Sequence, residues 1–596
     1  MADQLRVDGG SELLARGAAG GGLIQVGGSW QNQDPAVRQA TLTSIDPGAV
    51  LDASAINRGD GGTIVVWSDT LNPESQTTVA GQLFALGGIT AGDGGRIETS
   101  GASLKIGDID VQAWSSHGDS GLWLLDPYNY VIDSENARKI AMTLEMGANV
   151  TISTEFPNVS LGEMGEIDGV YAETGDIVIN SEIKAGGDTK LALIAKRNIE
   201  LNVPYGDAIV RTGNGSVDLK AGTETAGDII VNSGIRMTGD ADLRLEAGGS
   251  IELHAKWAGF NDEPGYVIDY DGKGSVELIA GEKGSGDITV DSGIRVAGDA
   301  RLKLEAAGDI VVNAHGDFGS GIDYAGHNSV DLNAGTAGDG DILLNSRINA
   351  AGDSRLVLKA TGDIHLNTDS GKDNSINSSG ESSLVLRSGT GGVHGGGNIV
   401  IGRGDLLIDQ GGISWYEGEI IGDINLFKDG AGTLTLSGSN AYGGDTTISA
   451  GDLVVNTESA LGRSNLVRIN GGVLHYGIDG SDDGLLSYEL GEQGGTIAVE
   501  KGKSYELQGS LGGGSASGGL TKQGKGKLTL SGINTYGGDT TISAGELVIS
   551  SESALGQSNV VEIKDERGWD VSDAADSSSI TFQKRDDSAT LIVAKQ

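Results

Sequence analysis

The amino-acid sequence predicts an all-β, elongated parallel β-helix, or β-solenoid. Three observations carry that prediction: one pattern written four times between Gly175 and Ser388, apolar runs that alternate with a period of two inside each copy, and turn residues recurring about every 8 to 12 positions.

The copies begin at Gly175, Gly227, Gly286 and Gly340, at periods of 52, 59 and 54 residues. Each opens with Gly-Asp-Ile and a short apolar run (GDIVINSEI, GDIIVNSGI, GDITVDSGI, GDILLNSRI). A second run follows (TKLALIA, ADLRLEA, ARLKLEA, SRLVLKA), then a third (NIELNV, SIELHA, DIVVNA, DIHLNT) and a fourth (GSVDLKAG, GSVELIAG, NSVDLNAG, SSLVLRSG). From the opening Gly to the end of the third run is 28 positions in every copy; only the segment before the fourth run's lead-in varies, with 5, 12, 7 and 7 residues. Length is held where strands must stack and released at one corner. Alternation such as Ile177 and Ile179 against Asp176 and Asn180 gives each strand one buried and one wet face. No helix-length apolar pattern separates the strands, which argues against a βαβ sheet. With three strands and three turns a coil takes roughly 20–25 residues, so each copy predicts about two and a half coils.

Composition narrows the function. Among 596 residues are 101 Gly and 7 Pro, the mark of recurring tight turns. The net charge of −42 disfavours nucleic acid and anionic membrane surfaces as partners. Many acids sit in Gly-Asp turns, where they read as a solvated edge. Stacked Asp and Asn columns make Ca²⁺ the one cofactor to consider, although no EF-hand loop or repeat-in-toxin nonapeptide occurs. There is no cysteine, which removes thiol catalysis and disulfide staples. No apolar run reaches transmembrane length, and MADQLRVDGG lacks the regions of a signal peptide, as expected of a piece of a longer precursor.

Residues 1–133 carry three phrases in order: GDGGTIVVWSD (59–69), GDGGRIETSG (92–101) and GLWLLDPYNYVI (121–132). Trp67 and Trp123 are expected to fill a broad coil interior, and Asp126-Pro127 to stop a strand. The combination resembles the filamentous haemagglutinin family of large secreted exoproteins of Gram-negative bacteria. That resemblance implies a right-handed coil, exposure at the cell surface or in the medium, and two-partner export through an outer-membrane transporter. In residues 134–174 the sequence DSENARKIAMTLEM predicts one helix, capped by Ser134, with Ala137, Ile140, Ala141 and Leu144 as its apolar stripe.

The four copies fill residues 175–397. In residues 398–596 a different repeat appears twice: DGAGTLTLSGSNAYGGDTTISAGDLVVNTESALG (429–462) and QGKGKLTLSGINTYGGDTTISAGELVISSESALG (523–556). It resembles the passenger-associated repeat of autotransporter passengers, with Tyr442 and Tyr536 packing at its turn.

Few residues read as a chemical site. The seven His (117, 254, 315, 327, 365, 394, 475) are scattered, and no HExxH, GxSxG or Walker loop occurs. His254 and His315 fall by the variable corner, where a turn histidine is the plain reading and a metal ligand the sharper one. Arg236 and Arg295 recur in SGIR, too sparse to bind an anionic sugar intermediate. Two Arg-Gly-Asp triplets, at 58–60 and 403–405, are expected by chance among so many Gly-Asp pairs. The variable corner is the best recognition candidate: Trp257, Phe260, Tyr266 and Tyr270 in its longest version, Phe318 and Tyr324 in the next, as exposed aromatics for a carbohydrate or protein surface ligand. Aromatics folding back onto the coil edge are the competing reading. The function expected is a non-enzymatic surface adhesin. A self-assembling filament or matrix subunit and a β-helix polysaccharide-processing enzyme are the alternatives.

Overall fold

The structure is a computed structural model that describes residues 3–70, 72–155, 175–254, 265–313, 320–367, 374–513, 518–551, 553–557, 560–563, 581–584 and 589–593. Its contacts divide the chain into two units, Met1–Gly308 with Asn313–Asp323, and Asp309–Val312 with Tyr324–Gln596. Each is built of parallel strands stacked coil upon coil, as in a β-helix.

In the first unit the three amino-terminal phrases lie directly on one another. Thr63 pairs with Arg96, and Arg96 with Leu122, so Thr63–Trp67, Arg96–Ser100 and Leu122–Asp126 form one parallel stack. Trp67 and Trp123 are buried inside it, as their size demands. Their indole N–H groups donate to Gln39 Oε1 at 2.8 Å and Thr99 Oγ1 at 3.1 Å. Two acids of this stack are buried, Glu98 and Asp126. The Glu98 side chain is held by a backbone donor. Its carboxylate accepts the Gln31 N–H, and Gln31 holds a left-handed φ of 45°.

The helix forms over Ser134–Glu145. Its cap is Asp133 rather than Ser134: Asp133 has extended backbone, so its carboxylate reaches back to accept the N–H groups of Glu135 and Asn136. Ala137, Ile140 and Leu144 face inward as expected, and Ala141 is half-buried. The helix touches Ser103–Gln112 and Ile183–Gly186 and takes the place of a strand in that coil.

The four-copy pattern resolves into two coils per copy, correcting the expected two and a half. Six strands follow each other between Ile177 and Ala221, three to a coil, and Leu191 pairs with Val217, 26 positions on. The coil is therefore longer than three minimal strands and turns require. In the innermost ladder Ile177, Ile199, Ile229, Ile251 and Ile288 pair in succession, all fully buried. Steps of 22 positions alternate in that ladder with steps of 30 and 37. The variable segments leave Ile199–Leu201 and Ile251–Leu253, two coils apart in one stack, and enter Asp207–Thr212 and Ile268–Asp271 of the next.

Two polar devices hold the outside. At one corner Asp176, Asn198 and Asp228 each accept, through Oδ1, the backbone N–H of the matching residue one coil on, at 3.1, 2.9 and 2.7 Å. In the second unit Asp309, Asp341 and Asp363 do the same at 2.8, 2.6 and 2.7 Å. The Gly-Asp acids are thus acceptors that tie coil to coil rather than only a solvated edge. On the outer face of the 217–306 stack, Asp218, Arg244, Glu277 and Lys303 pair in register. Charge alternates here because the second run of copies two and three supplies the base, the fourth run of copies one and two supplies the acid, and the two fall on successive coils.

In the second unit, long strands run around a corner: Asn374–Ser388, Asn398–Gln410 and Ile420–Asp429, with register shifts between Ser378 and Glu381 and between Val400 and Arg403. Beyond them coil length varies, and the shortest steps fall within the two carboxy-terminal repeats. Leu434 pairs with Leu453, and Leu528 with Leu547, each 19 positions on.

Candidate recognition groove

The corner aromatics divide into three groups. Trp257, Phe260 and Phe318, with His315, lie outside the described residues. Tyr266 is half-buried at the side of the first unit, and its hydroxyl donates to Asp323. Tyr270 and Tyr324 are buried, which removes both from the exposed docking set. The reason is a corner that needs a donor: the Tyr270 hydroxyl reaches the carbonyls of Gly239 and Ala241 in the preceding coil and accepts the Gly274 N–H at 3.0 Å. The Tyr324 hydroxyl accepts the equivalent N–H, that of Asn328, at 3.0 Å. These tyrosines are internal pillars, and the folding-back reading holds for them.

The other flagged residues are also committed to the scaffold. Arg236 and Arg295 stack on either side of Asp269, with ion pairs of 3.7 and 2.5 Å. Both ring nitrogens of His254 face carboxylates, Asp291 at 2.8 Å and Glu252 at 2.9 Å, leaving no lone pair for a metal. Among the described residues no three His, Asp or Glu side chains converge closely enough to hold a cation. The expected Ca²⁺ columns find no support there, since the turn acids spend their oxygens on backbone N–H groups. The triplet Arg403-Gly404-Asp405 lies within a strand, not at a loop tip, and Arg403 pairs with Glu381 and Asp423.

What the structure adds is a polar groove of about 640 Å³ on the second unit, at the corner where the long strands bend. It crosses four successive coils: Asn328 and Ser329, then Asp353 to Arg355, then Glu381 to Ser383, then Gly404 and Asp405. Ser329, Arg355, Ser383 and Asp405 are partners in register along one side. Ser354 and Ser382 are buried in the floor. No large apolar side chain lines it. Its volume lies within the range of ligand sites, but its lining is polar where drug-like sites are apolar. The signal that would have found it is the fourth copy's serines at 354, 378 and 382, where the second copy has Ala241, Tyr270 and Gly274.

The two carboxy-terminal repeats carry a different site, an internal one. Lys428 and Lys522 are fully buried. The Lys428 ammonium donates to the carbonyls of Asp429, Gly430 and Ala450 at 2.8, 2.9 and 3.1 Å; that of Lys522 donates to Gln523, Gly524 and Ala544 at 2.7, 2.9 and 3.0 Å. Burial lowers both ammoniums to about 8, against the pull of nearby acids such as Asp429 and Glu546. Asn440 accepts the Ile420 N–H and donates to the Ala460 carbonyl; Asn534 does likewise with Leu511 and Ala554. Tyr442 and Tyr536 are buried near the turn, with hydroxyls 2.8 Å from Thr446 and Thr540. A left-handed Gly430 and Gly524, at φ 74° and 70°, let the chain curl around each ammonium. The lysines went unread in the sequence, yet Lys428 shares the inward phase of Leu426 while Phe427 faces out.

The passenger-associated-transport-repeat family model matches residues 426–455 and 520–549, which include all of these hubs. Among curated proteins, an adhesin described as the BmaC autotransporter of Brucella suis biovar 1 (strain 1330) is 37% identical over 187 residues. That match takes in 27% of this chain and 5% of the relative. Cysteine-rich receptor-like protein kinase 45 of Arabidopsis thaliana is 32% identical over 90 residues, 14% of this chain and 24% of that protein. The chain thus spans only a small part of the length of either relative. Among the described residues no helix is long and apolar enough to cross a membrane.

Proposed function

We propose that the chain is a passenger segment of a Gram-negative surface adhesin, a non-enzymatic β-helix that presents a docking surface to polymers or cells outside the bacterium. One observation carries the reading: the passenger-associated-transport-repeat model matches twice, with its Lys, Asn and Tyr residues all serving as interior fasteners of a coil. A motif spent on architecture marks a stalk or platform, and leaves recognition to the outer surface. The partial relative described as an autotransporter adhesin supports the same class. The in-register stack of the three amino-terminal phrases supports the finer likeness to filamentous haemagglutinin exoproteins, and with it export through an outer-membrane transporter.

Beads coated with the whole chain are expected to attach to epithelial monolayers or matrix polymers above uncoated beads. Retention no better than bare beads on every surface sinks the adhesive reading. The variable corner stays in the proposal as a second contact: deleting residues 256–264, which spares Tyr266 and the coil-bound Val267, is expected to leave the circular dichroism spectrum unchanged and to lower attachment. Undiminished attachment removes that corner from the docking surface.

A further inference from the structure

We infer that the groove of the second unit is a docking site for a neutral oligosaccharide whose chain runs along the stacking direction. The inference rests on the adhesive reading and names the ligand class for it.

The groove exists because the fourth copy departs from its siblings at one corner. In the second copy the tyrosine pillar Tyr270 fills that corner and its hydroxyl reaches the Ala241 carbonyl one coil back. The third copy keeps the pillar as Tyr324, also buried. The fourth has Ser378 at the pillar position, where the first copy has Arg211; Ser354 where the second and third have alanine and the first has Thr189; and Ser382 where the second copy has Gly274. Hydroxyls therefore replace a ring. Ser378 donates to Ser382 at 2.6 Å, and Ser382 reaches back to the Gly352 carbonyl at 3.3 Å, taking over part of the pillar's task. Ser354 takes over none of it: its hydroxyl is buried in the groove floor without a hydrogen-bond partner. A buried hydroxyl left unsatisfied is costly, and one lining an open groove is satisfied by what occupies the groove.

The lining selects the occupant. Without large apolar side chains it offers nothing to an acyl chain or an apolar peptide anchor. Asp353, Glu381 and Asp405 stand exposed against Arg355, which makes no ion pair among the described residues, and Arg403, which pairs with Glu381; the remaining negative balance disfavours uronic, sulfated or sialylated chains. Carboxylates that accept, a guanidinium that donates and serines that do both match the vicinal hydroxyls of an uncharged sugar. Four coils at a strand spacing of about 4.8 Å give a run of about 14 Å, room for a short oligosaccharide.

The test converts the fourth corner into the second. The full-length protein is titrated with neutral, amino and acidic oligosaccharide panels beside Ser354→Ala and the triple variant Ser354→Ala/Ser378→Tyr/Ser382→Gly, with melting temperatures recorded for all three. A neutral oligosaccharide is expected to bind the native chain, about tenfold more weakly to Ser354→Ala, the loss expected for one hydrogen bond, and not measurably to the triple variant. Neither variant should melt lower, because alanine, tyrosine and glycine are the residues the second copy uses there. A purely structural serine would move melting and leave binding unchanged. Binding of acidic sugars alone, no sugar bound, or a triple variant that binds like the native chain overturns the inference. If coated beads attach to cells while sugars and variants change nothing, the adhesive reading survives and the groove does not. If the neutral sugar binds but no surface retains the beads, the groove stands and the adhesive reading falls.

Discussion

Between Gly175 and Gly308 the coils are held by hydrocarbon stacked on hydrocarbon, with polar groups kept to the corners and the outer face; around the two transport repeats the interior itself holds an ammonium, an amide and a phenol. Inward-facing polar groups do occur in the first stretch, among them Arg211, whose guanidinium donates to the Thr189 carbonyl, and Tyr270, whose hydroxyl reaches the Ala241 carbonyl. In the first stretch an unbroken isoleucine column fills one side of the interior, and corner Asp and Asn side chains accept N–H groups from the next coil. At the lysine strands the step is 20 positions, and the two residues that follow each lysine turn their carbonyls onto the ammonium together with one from the next coil, so a buried cation satisfies all three. Two solutions to one stacking problem thus sit in one chain.

The largest effect that would separate the two solutions comes from Lys522→Met. It leaves three buried carbonyls without a donor and is expected to cost about 3 kcal/mol or more, whereas Ile251→Val in the hydrocarbon column is expected to cost about 1 kcal/mol. Urea titration followed by hydrogen exchange of the 520–549 segment measures the first, and an outcome equal to Ile251→Val would erase the contrast.

A pH series sharpens it. Burial raises the Glu98 carboxyl to about 7, against the donors Gln31 and Ser100. The unfolded chain gives up this proton first, so the coils around Glu98 lose stability as pH rises from about 4.5 to 7. For Lys428 and Lys522, lowered to about 8, the sign is opposite: between pH 8 and about 10.5 the unfolded chain binds the extra proton, and stability rises with pH. Tryptophan fluorescence from Trp67 and Trp123 should give a higher urea midpoint at pH 5 than at pH 8, and Glu98→Gln should reduce that difference, the remainder coming from buried Asp126, whose carboxyl is raised by burial and by the charge of Glu98. Protease sensitivity within 520–549 should fall from pH 8 to 10.

The smallest effect is outside. Glu277→Lys places three cations in succession with Arg244 and Lys303, and the expected loss is below about 1 kcal/mol, reduced further by salt. A loss of several kcal/mol, indifferent to salt, would mean that the outer charges bear the stack as the interior does.

Much of this architecture was legible in the sequence because period-two alternation reports which way a side chain starts, and fixed spacing reports where strands pair. Trp67, Trp123, Tyr442 and Tyr536 could be placed inside on size and turn position alone. What could not be read is where a long side chain ends. Tyr270 and Tyr324 looked like loop aromatics, and only the carbonyls one coil back explain their burial. Lys428 and Lys522 went unread for the same reason. The coil count missed by half a turn because corner residues add length that strand patterns do not record. The groove was hidden deepest: it consists of a ring the fourth copy lacks, visible only once its sister copies are superposed on the same corner.

The sign alternation along Asp218, Arg244, Glu277 and Lys303 also bears on how such a chain can grow. Tandem gene duplication of a whole two-turn module preserves attraction at every new junction, while gain or loss of a single turn would set anion against anion. Natural length variants of this stretch are therefore expected to differ by even numbers of turns.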